Sequence, residues 1–557
     1  MPEQPGVLPV ELNLGSLVEA IGEAIPERPA IIHRRVTVTF EQFIDRSRRL
    51  ASLLAGRGFG CYLERNQLLG HEIGQSLMGQ YLYNGPEYLE GMIGAYRARV
   101  APFNVNYRYV AGELAYLLND ARPQILQYHA QFAPTLRDAL AMTDLQPLLL
   151  QVADDSGHEL LPGALDYHDA LASTDPISLP GSSADDLYVL YTGGTTGMPK
   201  AVLWRQADVA VTTMGLIDRR NAREWSSLDD AVVAARQRSS GRSLLCAPLI
   251  HGASQWGAMQ ALGRGTTVVF PDDVKSFRAA DAWDTVARHG VTQMSIVGEA
   301  FAGPLVEELE HQPRDVSSLR YLVSGGAALR PETKARLIAV APNMSVLETI
   351  GSSETGIQGS SLVSASSQQS KREFTPDSRT RVVAEDFTHF LEPGHDGTGW
   401  LASAGRIPLG YLRDEAKTAK SYPVVNGVRV SVPGDRARLS AAGAIELLGR
   451  DSITVNSGGE KIFVEEVEYA VRAHPDVIDA VVCGRPSERW GAEVVAIVTL
   501  RADRPHIAQE ITEAASQKIA RYKLPKAVVV VERIERSPAG KPDYRWAVDV
   551  ATKAQST

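Results

Sequence analysis

Cysteine is scarce in this chain. Cys61, Cys246 and Cys483 are the three in 557 residues, and none of their separations matches a metal-ligand pair. An odd number of widely spaced thiols cannot all pair with one another, so free buried thiols in a reducing compartment are expected. Long apolar runs are missing as well. No stretch approaches the ~20 residues of a membrane-spanning helix. The opening Met1-Pro-Glu-Gln-Pro-Gly6 has neither the basic segment nor the apolar core of a secretory signal, and the closing Ala554-Gln-Ser-Thr557 carries no prenylation or peroxisomal address. A soluble cytoplasmic protein is therefore expected. Positive charge is in deficit: 57 Lys and Arg stand against 66 Asp and Glu, a formal net charge of -9. Polyanions are normally met by a basic surface, so no nucleic-acid partner is expected.

What is present is an ordinary globular composition, 44% hydrophobic and 22% charged, which excludes wholesale disorder. The length is too great for one ordinary domain. Short β-branched or apolar runs at Ala30–Ile32, Gln80–Tyr83, Leu187–Tyr191, Thr267–Phe270, Gln293–Val297 and Tyr321–Val323 alternate with helical periodicity. That alternation predicts an α/β fold, helices layered on largely parallel sheets. Parts of Asn221–Arg242 and Ser360–Asp377 are rich in Ser, Gln, Arg and Asp and read as surface excursions. Near Gly449-Arg450-Asp451 the texture changes to a compact α+β pattern. A strand is expected around Ile453, a helix over Val464–Arg472, strands at Ala480–Val482 and Glu493–Thr499, a helix over Gln509–Ile519 and a strand at Ala527–Val531. A domain boundary is therefore placed near 450, separating residues 1–449 from a C-terminal domain, 450–557, of ordinary domain size.

The segment with the most specific chemistry is Tyr191-Thr-Gly-Gly-Thr-Thr-Gly-Met-Pro-Lys200. A strand runs into it. Gly193, Gly194 and Gly197 allow a sharp turn that brings several N–H groups near an anion, while Thr192, Thr195 and Thr196 add hydroxyls and Lys200 a positive charge. Such a segment suits a polyphosphate. It is not a P-loop, which needs Gly-Lys-Ser/Thr in direct succession. Here Met198 and Pro199 separate Gly197 from Lys200, and Ala201 occupies the hydroxyl position.

The segment resembles the phosphate-binding signature of the acyl-adenylate-forming (AMP-binding) superfamily of acyl-CoA ligases, peptide-synthetase adenylation domains and luciferases. Further matches follow in the superfamily's order. Pro248-Leu-Ile-His251-Gly-Ala-Ser-Gln255 resembles the acyl-pocket motif, and Ser324-Gly-Gly-Ala-Ala-Leu329 and Ile350-Gly-Ser-Ser-Glu354-Thr-Gly356 the nucleotide-binding segments. Pro433-Gly-Asp435 resembles the ribose motif, Gly449-Arg-Asp-Ser452 the hinge, Ser457-Gly-Gly-Glu-Lys461 the CoA-side loop and Ser537-Pro-Ala-Gly-Lys541 the C-terminal lysine loop. The likeness runs from about residue 15 to 550. It implies a large N-terminal domain of layered sheets and helices with a small barrel-like part, followed by a small mobile C-terminal domain.

The same resemblance implies roles. ATP would be held by Thr192, Gly193, Gly194, Thr195, Thr196, Gly197, Lys200, Gly325, Gly326, Ala327, Ile350, Gly351, Ser353, Asp435, Arg450 and Lys541. Glu354 would be the magnesium ligand, with Thr192 a second candidate; a hard oxygen donor is what this ion prefers. Glu354, Thr195 and Lys541 would be catalytic. Ser457, Gly458, Gly459, Glu460 and Lys461 would line the CoA side, and the hinge lies at Asp451 or Ser452. The acyl pocket would include His251, Gly252, Trp256, Gly298 and Gly325, with small residues Gly252, Ala253 and Ser254 leaving volume for a chain or fused rings. His251 is either a pocket wall or a hydrogen-bonded interior histidine, and Trp256 either a cap or core packing.

The sequence also departs from the superfamily pattern. Ile350 stands where an aromatic residue commonly precedes the Glu motif, Ala201 replaces a glycine after Lys200, and Asn456 stands where lysine is frequent. Ile350 with its motif, Asn104-Val-Asn-Tyr-Arg-Tyr109 and Ser537–Arg545 look closest to a subgroup acting on long-chain fatty acids and sterol side-chain acids. The acyl motif lacks the Asp that pairs an amino-acid substrate's amine. An acyl-CoA ligase using ATP, magnesium and CoA is the leading expectation, ahead of an AMP ligase loading a carrier protein and a weakly catalytic acyl- or nucleotide-binding protein. Oligomeric state stays open, a homodimer included. The lysine assignment has a direct test. Lys541→Ala is expected to lose acyl-AMP formation, by on the order of 10²–10³ in rate, while thioester formation from supplied acyl-AMP is largely kept. Equal loss of both half-reactions, measured separately, would remove the assignment.

Overall fold

The computed structural model describes residues 10–554 apart from 195–196, 219–221, 239–240, 328, 367–372, 451–452, 458–459, 488–490, 503–506, 520 and 537–541. The chain is mixed α/β and divides into two compact units. The first comprises Met1–Gly193, Met198–Gln369 and Gly405–Tyr422; the second comprises Gly194–Gly197, Ser370–Ala404 and Pro423–Thr557.

Two sheets frame the first unit. One has five parallel strands in the order Ala101–Asn104, Leu77–Tyr81, Ile125–His129, Leu148–Val152, Leu165–Asp166. The other runs Val36–Thr39, Pro29–His33, Thr267–Phe270, Arg242–Leu245, Gln293–Ile296, Tyr321–Gly325, Ser345–Ser352, Gly356–Val363. Its inner pairs are parallel, and its first and last pairs are antiparallel. Parallel neighbours require crossovers, which the helices Gly252–Leu262, Ala279–His289, Glu299–His311 and Pro331–Val340 supply. A third, small sheet orders Gly410–Tyr411, Gly197–Arg205 and Leu187–Gly194.

The helices form where apolar spacing and caps agree. In Phe40–Gly56 the buried residues Phe40, Phe43, Ile44, Ser47, Leu50, Ala51 and Leu54 fall on one face. Thr39 opens that helix with a capping box closed by Gln42. This helix packs on Pro86–Arg97, both helices contributing to the largest apolar core.

In the second unit, residues before 450 form an antiparallel sheet ordered Glu373–Pro376, Ile445–Arg450, Asp435–Leu439, Gly399–Ala404, Val428–Ser431, Val424–Val425, with Thr380–Val383 also pairing Gly399–Ala404. Beyond it lies a sheet of Glu460–Phe463, Thr454–Ser457, Gly491–Leu500 and Val477–Ser487, with Ala527–Val530 parallel to Gly491–Leu500. Strand alternation sends Ala480 and Val482 towards the helices Val464–Val471 and Ile507–Ser516, and Val481 and Cys483 towards Tyr544–Lys553.

The expected strands are all present, shifted by a few residues at most. The strand expected around Ile453 starts at Thr454. Asn221–Arg242 is more than a surface excursion: it holds the helix Leu228–Gln237, capped by Ser227 and burying Ala231 and Ala235. Two small alanines carry too little hydrophobicity to announce that face among so many charged neighbours. Of the three thiols, Cys246 and Cys483 are buried while Cys61 is half-buried, and all are free. No helix among the described residues is long and apolar enough to cross a membrane.

One buried charge has a measurable consequence. Glu90, fully buried, meets Arg46 Nη1 at 3.0 Å and accepts the Tyr167 hydroxyl at 3.1 Å. Burial, and next the charge of Glu87, push its carboxyl up from 4.5 to about 7; Arg46 is 40% exposed, and its charge offsets only part of that cost. A carboxyl raised on folding stabilises fully below its unfolded pKa and loses that contribution as pH rises through the folded value. Stability should therefore fall as pH rises from 4.5 through about 7. Glu90→Gln should flatten this part of the melting-temperature profile. A variant that keeps the wild-type slope would show that Glu90 does not titrate there.

Candidate active site

The strand Leu187–Gly194 carries the start of the glycine and threonine segment, and Asn104 anchors that strand at Tyr191. Its buried amide accepts the Tyr191 N–H at 2.8 Å and donates to the Tyr191 carbonyl at 2.8 Å and the Ile250 carbonyl at 2.7 Å. The phosphate-segment strand and the acyl motif are thus cross-linked one residue before His251. Asn84 adds a second clamp on the same motif, accepting the Leu249 N–H at 2.6 Å and donating to the Ala247 carbonyl at 3.1 Å. Gln255 accepts from the Tyr188 hydroxyl at 2.7 Å and donates to the Leu249 carbonyl at 2.8 Å. Each is a buried polar group satisfied by main chain or a neighbour, as burial demands.

The strand Gly197–Arg205 leads out of the segment and carries Lys200, whose Nζ lies 2.6 Å from Asp414 Oδ2. The Lys200 hydrogen bond holds the Asp414 carboxyl below its ordinary value. On the same strand, Trp204 donates its indole N–H to the Ser353 carbonyl at 2.9 Å. Tyr411, on the strand paired antiparallel through Val202, donates its hydroxyl to Glu354 Oε1 at 3.0 Å. Glu354 itself stands in the hairpin turn between Ser345–Ser352 and Gly356–Val363, closed by Ser352 N–H to Thr355 Oγ1 at 3.0 Å. Lys200, Ser353 and Glu354, far apart in sequence, are therefore tied to one small sheet. Gly351 is required in that hairpin because a Cβ there would lie 2.0 Å from the Gly356 carbonyl oxygen. Ile350 is buried on the strand before it.

The segment Gly325, Gly326 and Ala327 follows the strand Tyr321–Gly325. Leu329, at its far end, gives its N–H to Glu348 Oε1 at 3.1 Å, and Glu348 Oε2 pairs with Lys334 at 2.6 Å. Gly298 touches this segment: its φ is +58°, its N–H reaches Ser324 Oγ at 3.0 Å, and a Cβ would sit 2.5 Å from Ala327 Cβ. Only glycine suits that backbone and that gap. At Gly252 the side a Cβ would take is filled, since it would meet Leu190 Cδ2 at 2.6 Å and Trp256 at 3.3 Å. Ser254 is buried and donates to the Ala247 carbonyl at 2.9 Å. Gly252 thus lets Leu190 and Trp256 approach on the side a Cβ would take, while Gly252 is half-buried and Ala253 exposed. Trp256 is buried in the main core, and His251 is half-buried at the start of that helix.

In the second unit, Asp435 is half-buried and pairs across the sheet with Arg450. Ser457 is buried at the end of Thr454–Ser457, where it pairs with Glu460. Glu460 and Lys461 lie on the strand Glu460–Phe463. Thr195, Thr196, Asp451, Ser452, Gly458, Gly459 and Lys541 fall outside the described residues, as do the side chains of Arg450, Glu460 and Lys461. The sequence did not single out Tyr411, Asp414, Trp204 or Asn84. Their signal is three-dimensional, a polar side chain buried against a motif from a distant segment, and no spacing rule encodes it.

Comparison with known proteins bears on the family. Residues 18–412 match the AMP-binding enzyme family and residues 466–541 the AMP-binding enzyme C-terminal domain. The chain is 51% identical over 537 residues to the medium-chain acyl-CoA ligase Mig of Mycobacterium avium, covering 96% of this chain and 98% of that protein. It is 37% identical over 549 residues to the 3-oxocholest-4-en-26-oate–CoA ligase of Rhodococcus rhodochrous, covering 97% and 96%. Among solved structures, the anthranilate CoA ligase AuaEII in complex with anthranoyl-AMP superposes with a TM-score of 0.80 at 20% identity, covering 99% of each chain, a likeness of fold. The chain belongs to the AMP-binding enzyme family.

Proposed function

We propose that the chain is an ATP-dependent acyl-CoA ligase acting on a hydrophobic carboxylic acid, medium- or long-chain or as bulky as a sterol side-chain acid. The observation that carries the reading is the small sheet that ties Lys200, Ser353 and Glu354 together next to the glycine and threonine segment. Relatives along nearly the whole chain are named for medium-chain and sterol-derived acids, which supports the substrate class.

The chemistry has two halves. An oxygen of the acid's carboxylate attacks the α-phosphorus of ATP, forming acyl-AMP and breaking the bond to pyrophosphate. The thiolate sulfur of CoA then attacks the acyl carbon and AMP leaves. In the first half an anion approaches a polyanion, so the protein's task is positioning and neutralisation of charge. Lys200 and the N–H groups of the Thr192–Gly197 segment, with the hydroxyls of Thr195 and Thr196, bind the phosphates. Gly325, Gly326, Ala327, Ile350, Gly351 and Ser353 line the nucleotide. Glu354 and Thr192 offer the oxygen donors that magnesium prefers, and bound there the ion would neutralise phosphate charge. Tyr411 already holds one Glu354 oxygen in place. Gly298, Gly325, His251, Gly252 and Trp256 shape the acid's surroundings.

In the second unit Asp435 takes the ribose hydroxyls, since a carboxylate suits two neighbouring donors, and Arg450 assists. Residues 450–557 form the mobile domain, turning about Asp451 or Ser452. It contributes Lys541 to acyl-AMP formation and Ser457–Lys461 to the thiol step. A cytoplasmic setting supplies ATP and CoA.

Pyrophosphate release measured across short, aromatic, medium-chain, long-chain and steroid acids, with and without CoA, tests the reading. Release should depend on medium-chain, long-chain or steroid acids, with AMP and thioester formed when CoA is present. Stimulation by short or aromatic acids alone would overturn the substrate class. Acyl-AMP that passes to a carrier protein and never to CoA would overturn the acceptor. No release with any acid would leave a binding protein.

A further inference from the structure

The residues Tyr411–Thr418 fold back on themselves. Thr418 Oγ1 accepts the Tyr411 N–H at 3.0 Å and donates to the Asp414 carbonyl at 2.7 Å. Asp414 Oδ1 accepts the Lys417 N–H at 3.0 Å while Oδ2 holds Lys200 at 2.6 Å. Gly410 allows this closure, because a Cβ there would lie 2.5 Å from Thr418 Cγ2. The fold-back fixes two side chains. Tyr411, 3% exposed, points its hydroxyl at Glu354. Lys417 lies across its ring, with Nζ 4.2 Å from the centroid.

Lys417 is an unusual lysine. Its ammonium is half-buried, and among the described residues it makes no ion pair. Burial first, and the neighbouring Lys200 second, pull its pKa down, while Glu354 and Asp414 pull it up. Two lysines and two carboxylates thus gather around the Tyr411–Thr418 fold-back. The face of an aromatic ring stabilises a cation only modestly, so an ammonium held this way retains capacity for an anion. A nucleotide's terminal phosphates are the anion that the proposed site would bring there.

We propose that Tyr411 and Lys417 extend the nucleotide site: Lys417 as a second cation, with Lys200, for the β- and γ-phosphates of ATP and hence for pyrophosphate, and Tyr411 as the positioning residue that aims the Glu354 carboxylate. This rests on the reading of the site as one for adenylate formation. When ATP arrives, Lys200 exchanges Asp414 for phosphate, and Lys417 meets the same polyanion.

The test uses the full chain and its Lys417→Met, Lys417→Arg and Tyr411→Phe variants. Acid-dependent exchange of pyrophosphate into ATP gives KM values for ATP, pyrophosphate and acid, and calorimetry reads ATP binding with and without magnesium. Lys417→Met should raise the KM values for ATP and pyrophosphate about tenfold and leave the KM for acid and the melting temperature unchanged. Lys417→Arg should restore most of the loss. Tyr411→Phe should raise the magnesium concentration for half-maximal ATP binding several-fold, with ATP binding in the absence of magnesium unchanged. Wild-type nucleotide and magnesium dependence in both variants would overturn the proposal, as would equal shifts in the acid and nucleotide KM values. A wild-type chain that binds ATP but shows no acid-dependent exchange would instead sink the adenylate-forming reading, and the calorimetric comparison would still decide the role of Lys417.

Discussion

The amide of Asn104 is the contact on which the geometry of the first unit turns. A single buried side chain makes three hydrogen bonds to main-chain atoms of two segments, Tyr191 and Ile250. Both ends of its amide are used, so replacing it would strand several buried main-chain groups at once. Because Tyr191 precedes the phosphate segment and Ile250 precedes His251, this one side chain sets the distance between the polyanion-binding strand and the acyl motif. Asn104 comes from the end of a strand in the five-stranded sheet. One sheet thereby registers the strand that feeds the phosphate segment.

A second constraint follows from the first. With the phosphate-segment strand fixed, the strand Gly197–Arg205 becomes the reference for everything that must surround it. It reaches the Ser352–Thr355 turn through Trp204 and through its antiparallel neighbour Tyr411. Glu354 sits on a hairpin turn, yet it is held from another strand as well as by the turn's own hydroxyl bonds. A carboxylate proposed to hold a cation beside polyphosphate gains from such support, because a group already in place needs no reorganisation when charge develops.

Much of the fold was legible from the alternation of short apolar runs with helical periodicity, and the parallel sheets of the first unit follow from it. The strand Thr267–Phe270 matches residue for residue. The helix Leu228–Gln237 was not legible, because its buried face is two alanines set among aspartates and arginines. At the site, the glycine and threonine segment and Glu354 stand out as motifs, since the pattern that proposes them is local. Tyr411 and Asp414 do not, because they act through contacts across a sheet. Gly252 shows a related limit, since Leu190 and Trp256 fill the side a Cβ would take. Small residues mark closeness, but sequence alone does not say whether a ligand, a leucine or a tryptophan fills the gap.

The contact between Gly298 and Ala327 has a consequence for how selectivity can change. A methyl group at Gly298 would collide with a residue of the nucleotide-binding turn, 2.5 Å away. If Gly298 borders the acid and Ala327 the nucleotide, as proposed, a mutation meant to narrow the acid's space from that side would disturb the nucleotide's surroundings too. On that proposal, diversification of acid preference is channelled towards other walls, and the boundary between the two substrates' surroundings stays as small as a hydrogen atom allows.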